Sequence, residues 1–364
     1  MICILDNVTN KFMGNRWFWL GAFGFLATIS IWFRSSLFGF DSYATLSAIR
    51  FGWFDTLGGQ PIANLVWSIF PDSLFVFKFI MFLSLFLSIL AIFKLVWFFY
   101  DERKAWLTIF LLMGLSPVLL FGFGEFENEV LAYPFFVWSI YWFLTSKDKK
   151  TTIQSIVTFF LGLSFWFWPF YLTFFNFGVS SGAVEQNMFA GLLNFWFLLP
   201  FLFFIPLLGG RLKWFGLLAL FLWLWNAKLF ILLIPFVALA IVQGLILLEK
   251  HDTIRKTIYY LAFFCLIGWN IAFLLQQPTN SDWFVVDKTV ELAKDNNYPI
   301  FNDWSYGYWL WSKGIKTKSN PGYSLGDVSY QGKGIYLTDV NLPCVLVFEK
   351  KEIARKSTKI WQCN

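Results

Sequence analysis

Asp41, Glu125, Glu127, Glu129 and Glu185 stand in three gaps between strongly apolar segments, with few lysines or arginines beside them. Gly124-Glu125-Phe126-Glu127-Asn128-Glu129 crowds three carboxylates into one turn's length. Like charges at that spacing repel, and near hydrocarbon the repulsion is costly unless a cation relieves it. Hard oxygen donors suit Mg²⁺ or Mn²⁺. The bland alternative is an acidic turn that caps a helix. Asp41, in Phe40-Asp41-Ser42-Tyr43, is either a further ligand or a solvated carboxylate at a helix lip. Glu185, in Val184-Glu185-Gln186-Asn187, adds little alone. Lys228 sits in Trp225-Asn226-Ala227-Lys228-Leu229-Phe230, at the end of an otherwise apolar segment. It either snorkels to an interface or pairs with an anion, for which a phosphate beside metal-bound carboxylates is the obvious candidate. Such a site would handle a phosphate-bearing lipid.

Asn302-Asp303-Trp304-Ser305-Tyr306-Gly307-Tyr308-Trp309 is the last chemical cluster. Its rings and polar groups, bent at Gly307, suit a groove for a peptide or a sugar. A strand-to-helix corner with buried aromatics is the structural alternative.

The elements that must position these groups follow from composition. Of 364 residues, 58% are hydrophobic and only 14% charged. A soluble domain carries about 25% charged residues, so lipid is the expected solvent. Apolar runs of spanning length predict about nine helices, at 16–34, 74–99, 105–122, 129–145, 153–175, 190–209, 214–226, 228–248 and 257–275. The first reads as a signal anchor, because it is long and lacks a small-residue cleavage site. Lys11 and Arg16, Arg103 and Lys104, Lys147, Lys149 and Lys150, Arg211 and Lys213, and Lys250, Arg255 and Lys256 fall on alternate sides of successive helices. They share one face, and the positive-inside rule makes it cytoplasmic. The net charge of +6 therefore reports topology, and a nucleic-acid partner is not expected. The acidic gaps open on the opposite side. The expectation is a multi-pass cell-membrane protein with a cytoplasmic N-terminus.

Near residue 276 the composition turns polar. Residues 1–275 form the membrane domain, and 276–364 a small extracytoplasmic α/β domain. A helix is predicted over 282–297, and strands over 298–301, 334–338 and 344–348. The stretch 42–52 has the pattern of an interfacial amphipathic helix. Cys344 and Cys363, both on the outer side, either pair across a hairpin or remain two free thiols.

In their order along the chain, these motifs resemble the membrane catalytic subunit of oligosaccharyltransferases, a family of the GT-C fold. Phe40-Asp41-Ser42-Tyr43 resembles the family's first acidic motif, Glu127-Asn128-Glu129 its second, and Val184-Glu185-Gln186-Asn187 its outer-loop motif. Lys228 stands where an arginine contacts the donor phosphates. Asp303-Trp304-Ser305-Tyr306-Gly307 is similar to the acceptor-gripping Trp-Trp-Asp-Tyr-Gly motif, with Asp303 replacing the first Trp and Ser305 the Asp. The resemblance implies Mn²⁺ or Mg²⁺ on Asp41, Glu127 and Glu129, with Glu185 and Asp41 positioning the acceptor. It implies a polyprenyl- or dolichyl-linked sugar donor and an acceptor polypeptide bound through Glu185, Asp303, Trp304, Ser305 and Tyr306. A transferase using polyprenyl-phosphate monosaccharides, or a non-catalytic glycolipid binder, are the alternative readings.

Overall fold

The computed structural model describes residues 74–115, 128–175, 199–225, 230–275, 280–302, 330–338, 340–350 and 358–364, and single positions 24, 32, 69, 306, 310, 313, 315 and 317. The described chain is mostly helical, with a small sheet near its C-terminal side. It divides into two compact units, Met1–Arg34, Phe75–Gly124 and Glu129–Leu275 forming one, and Ser35–Leu74, Glu125–Asn128 and Gln276–Asn364 the other.

In the first unit, α1 (Leu74–Phe99) and α2 (Glu102–Leu115) are joined by a turn whose Asp101 accepts from the Lys104 backbone at 2.8 Å. α3 (Asn128–Thr145) and α4 (Lys149–Phe175) are joined in the same manner, Asp148 accepting from the Thr151 backbone at 2.8 Å. Each carboxylate satisfies an amide that the first turn of a helix leaves without a partner. That is why α4 begins at Lys149, before the apolar run that predicted it. The pairing of α3 with α4 is antiparallel and reciprocal. The Ser139 hydroxyl donates to the Ser155 carbonyl at 2.9 Å, and the Ser155 hydroxyl donates to the Ser139 carbonyl at 2.8 Å. Phe135 stacks on Phe165 beyond them.

The helix expected over 190–209 is broken. α5 (Leu199–Leu202) ends in a turn, and a single 3-10 turn (Ile205–Leu207) follows before Leu208 adopts an extended backbone. Pro206 cannot donate the amide that a continuous helix requires. α6 (Gly210–Trp225) then starts earlier than its apolar run, on Gly210 at φ +55, a conformation that glycine tolerates. α7 (Phe230–Leu247) is apolar all round, with Leu233, Ile234 and every residue from Phe236 to Val242 buried, so it forms the centre of the unit. α6 and α2 pack on α7, and α8 (Asp252–Leu275) packs on α2.

The outward faces are as apolar as the inward ones. Phe75, Phe79 and Leu83 on α1, Ile153, Ile156, Val157 and Phe160 on α4, Trp214, Leu218 and Phe221 on α6, and Leu261, Phe264, Ile267 and Ile271 on α8 are all exposed. The spacings of three and four residues place each set in one stripe along its helix. By length and composition alone, one described segment, Lys78–Phe99, is long and apolar enough to cross a bilayer; Leu131–Thr145 and Leu232–Leu247 are shorter apolar stretches.

In the second unit, α9 (Asn280–Asn296) lies against a four-stranded sheet of order β1-β2-β4-β3. The strands are β1 (Ile300–Asn302), β2 (Gly334–Thr338), β3 (Val345–Lys350) and β4 (Thr358–Cys363). β1 pairs with β2 in parallel, while β4 is antiparallel to both β2 and β3. Phe301 stacks on Tyr336 at 4.6 Å, and these rings form a core with Trp361 and Cys363. The buried phenol of Tyr336 accepts from the Gln331 amide and donates to the Gly332 carbonyl, so its polar tip is satisfied. Of the alternatives open for Cys344 and Cys363, the structure takes the disulfide.

Candidate functional site

Most charged residues described in the first unit lie at one end of its helices. The turn after α1, the turn after α3 and the start of α6 come together, because Phe99, Ser146, Lys147, Lys149 and Arg211 line one cavity. The start of α8 joins them. Arg103 and Arg255 both act on Tyr259, and the Gln243 amide of α7 donates to the Tyr100 hydroxyl at 2.8 Å. Four of the basic loops that the sequence assigns to one face thus share one end of the bundle. Local acids answer part of this charge. Asp101 pairs with Lys104, and Asp252 pairs with Arg255 and Lys256 at 2.6 Å each.

Glu129 lies at the other end. It is the second residue of α3, and at about 1.5 Å per residue it stands roughly 24 Å from the turn after Thr145. Its side chain and the whole of Asp41, Glu125, Glu127, Glu185 and Lys228 lie outside the described residues, as do Asp303, Trp304 and Ser305. The amphipathic stretch 42–52 also lies outside them. Among the described residues no group of three potential metal ligands converges. The expected donor set of Asp41, Glu127 and Glu129 is made of carboxylates alone, which fits Mg²⁺ or Mn²⁺ and is poor in the nitrogen and sulfur donors that zinc prefers.

No protein-family model, curated protein or solved structure matches this chain. The site is therefore read from its own chemistry.

Tyr306 is the one member of the expected acceptor motif within the described residues, and it is half-buried. Its hydroxyl hydrogen-bonds the Thr358 hydroxyl at 2.5 Å, tying the motif to β4. This contact gives Tyr306 a fixed place in the fold of the second unit.

Lys78 escaped the sequence reading. Four residues into α1, it is only 8% exposed, and its amine donates to the Trp32 carbonyl at 3.3 Å. Twenty-one residues of helix, about 32 Å, separate it from Phe99 and the basic end. It belongs to the same end of the unit as Glu129. The signal was present as one of two lysines, Lys78 and Lys94, inside the apolar run 74–99, but averaging over the run hides two charges among many Phe and Leu residues. A buried lysine with a backbone carbonyl as partner is a cation held out of water.

Proposed function

We propose that this chain is a polytopic membrane glycosyltransferase of GT-C type, with about nine spans, that moves a sugar or oligosaccharide from a polyprenyl carrier to an asparagine at the outer face. The observation that carries the reading is the opposition of charges. Basic loops gather at one end of the helical bundle, and Glu129 of the acidic motif begins a helix at the other. The apolar stripes on α1, α4, α6 and α8 support a lipid surround, since exposed patches on that scale mark a membrane or protein contact. In this orientation the N-terminus is cytoplasmic and residues 276–364 are extracytoplasmic. An oxidised Cys344–Cys363 pair suits the outer side.

Asp41, Glu127 and Glu129 would hold Mn²⁺ or Mg²⁺, which when bound neutralises the leaving phosphate as its charge grows. Lys228 would hold that phosphate as a point charge, without the two-pronged grip of an arginine. Glu185 and Asp41 would orient the acceptor nucleophile, leaving acceptor recognition to Asp303, Trp304, Ser305 and Tyr306. A second reading has one specific observation in its favour. The Tyr306 hydroxyl is engaged by Thr358, and the neighbouring motif positions depart from the pattern that grips asparagine sequons. A monosaccharide transferase acting on a hydroxyl acceptor accommodates both facts.

The deciding experiment is a calorimetric titration of purified protein with Mn²⁺, repeated on Asp41→Asn and Glu129→Gln. Saturable binding that both substitutions weaken would join two distant loops in one metal site. Absence of binding, even with added polyprenyl phosphate, would refute the mechanism. Transfer of a labelled sugar to asparagine or to a hydroxyl then separates the two transferase readings.

A further inference from the structure

A cavity of about 1280 Å³ opens at the basic end of the helical unit. Its lining combines Lys147, Lys149 and Arg211 with Ser146 and Thr152, and with the apolar Phe143, Ile153 and Trp214. Phe143 meets Phe215 edge-on at 5.0 Å within it. The charge here differs from the rest of this end. Lys104, Arg255 and Lys256 all have a carboxylate within 2.6 Å. Among the described residues, neither Lys149 nor Arg211 makes an ion pair, and Lys147 rests only over the Phe98 ring at 5.5 Å. Asp148 also lines the cavity and accepts from both the amide and the hydroxyl of Thr151 at 2.8 Å, so one carboxylate stands there against three cations. The cleft lining therefore keeps an excess of positive charge, three cations to one carboxylate.

We propose that this cleft binds the headgroup of an anionic phospholipid from the cytoplasmic leaflet. A free phosphate would need the three cations and nothing more. The apolar part of the lining is what selects a lipid. Ile153 is 59% and Trp214 66% exposed. They head the two outward stripes that continue from the cleft, Ile156, Val157 and Phe160 along α4, and Leu218 and Phe221 along α6. An acyl chain leaving the headgroup has a continuous apolar track, and an indole beside the cations sits at the depth where interfacial tryptophans concentrate. Basic pockets between helices on the cytoplasmic side are the expected form of headgroup recognition.

The inference rests on the membrane orientation proposed above and is independent of the transferase chemistry. Its test is native mass spectrometry of the detergent-solubilised full chain, equilibrated with equal phosphatidylglycerol and phosphatidylcholine. Wild type is expected to retain phosphatidylglycerol preferentially. The triple variant Lys147→Gln, Lys149→Gln, Arg211→Gln should lose that preference by about fivefold per charge, roughly a hundredfold in all. The charge-preserving variant Lys147→Arg, Lys149→Arg, Arg211→Lys should keep it, which separates loss of the site from loss of the fold. Removing three charges outside the cleft, by Lys104→Gln, Arg255→Gln and Lys256→Gln, should also leave it unchanged. Equal loss in that control would overturn the cleft in favour of diffuse attraction. Displacement of phosphatidylglycerol by millimolar inorganic phosphate would overturn the lipid in favour of a small anion. If wild type retains both lipids without preference, this inference alone fails. If it stays soluble without detergent and retains no lipid, the membrane reading fails with it.

Discussion

Breaking the Cys344–Cys363 bridge should loosen one side of the sheet and leave the helical unit untouched. The two cysteines are 19 residues apart and close the β3–β4 hairpin at its open end, where Val345 faces Gln362. In the chain-entropy account a loop of that length is worth about 3 kcal/mol. Opening of the hairpin should therefore become roughly a hundredfold more frequent. Cys344→Ala is the informative substitution, because it leaves the Cys363 sulfur in the core beside Phe301, Tyr336 and Trp361. Hydrogen exchange followed by mass spectrometry in detergent reads the change residue by residue. Amides of β3 and β4 should lose protection by that factor, and adding reductant to wild type should reproduce the pattern. Protection in α7 should not move. A change in β3 and β4 of less than about threefold would refute the entropic reasoning. Alkylation of both thiols in unreduced, rapidly quenched cells would refute the outward placement as well.

Gly114→Ala should destabilise the protein by about 1–3 kcal/mol in a detergent thermal melt, despite alanine's better helix propensity. An added Cβ would fall 2.4 Å from the Ala262 carbonyl oxygen, and the Trp269 indole already donates to Gly114 across the same contact. A variant as stable as wild type would show that α2 and α8 do not approach so closely. Removing the Ser139 and Ser155 hydroxyls singly and together should give a coupling of about 0.6 kcal/mol, the usual worth of interhelical bonds in the lipid surround proposed above; additive losses would mean the two bonds form independently. Thr151 holds the Asp148 carboxyl below its ordinary value, first through its amide and then its hydroxyl, while Lys256 and then Arg255 do the same for Asp252. A lowered carboxylate stabilises the folded state above its unfolded value of 3.8 and stops doing so as pH falls through the folded value. Melting temperature should therefore drop below about pH 4, less steeply in Asp148→Asn, which keeps the helix cap; an acid slope unchanged in that variant would rule out Asp148.

Most helices were readable because each apolar run is bounded by charge. Lys149 and Asp252 begin helices whose apolar spans start several residues later, so the runs located the elements but not their ends. Pro206 broke a run that hydropathy alone carries to residue 209. Three strands were legible from β-branched and aromatic residues. β4 was not, since Lys359 and Gln362 dilute its six residues directly after the charged stretch 349–356. The acidic motifs could be read as chemistry from their crowding. Whether Asp41 reaches Glu129 depends on long-range folding that neither motif encodes locally, and Lys78 was concealed by the phenylalanines around it.

The strand order has a bearing on how the second unit is made. β4 is the last strand in sequence, yet it lies between β2 and β3 and supplies the partner of each. Before Thr358–Cys363 emerge, β2 has only the three-residue β1 beside it, and β3 has no neighbour in the sheet. Synthesis of everything upstream therefore leaves edges of β2 and β3 waiting for one short segment. The sheet's assembly, and the oxidation of Cys344 that depends on Cys363, wait on a segment that a chain stalled or clipped before Thr358 cannot supply.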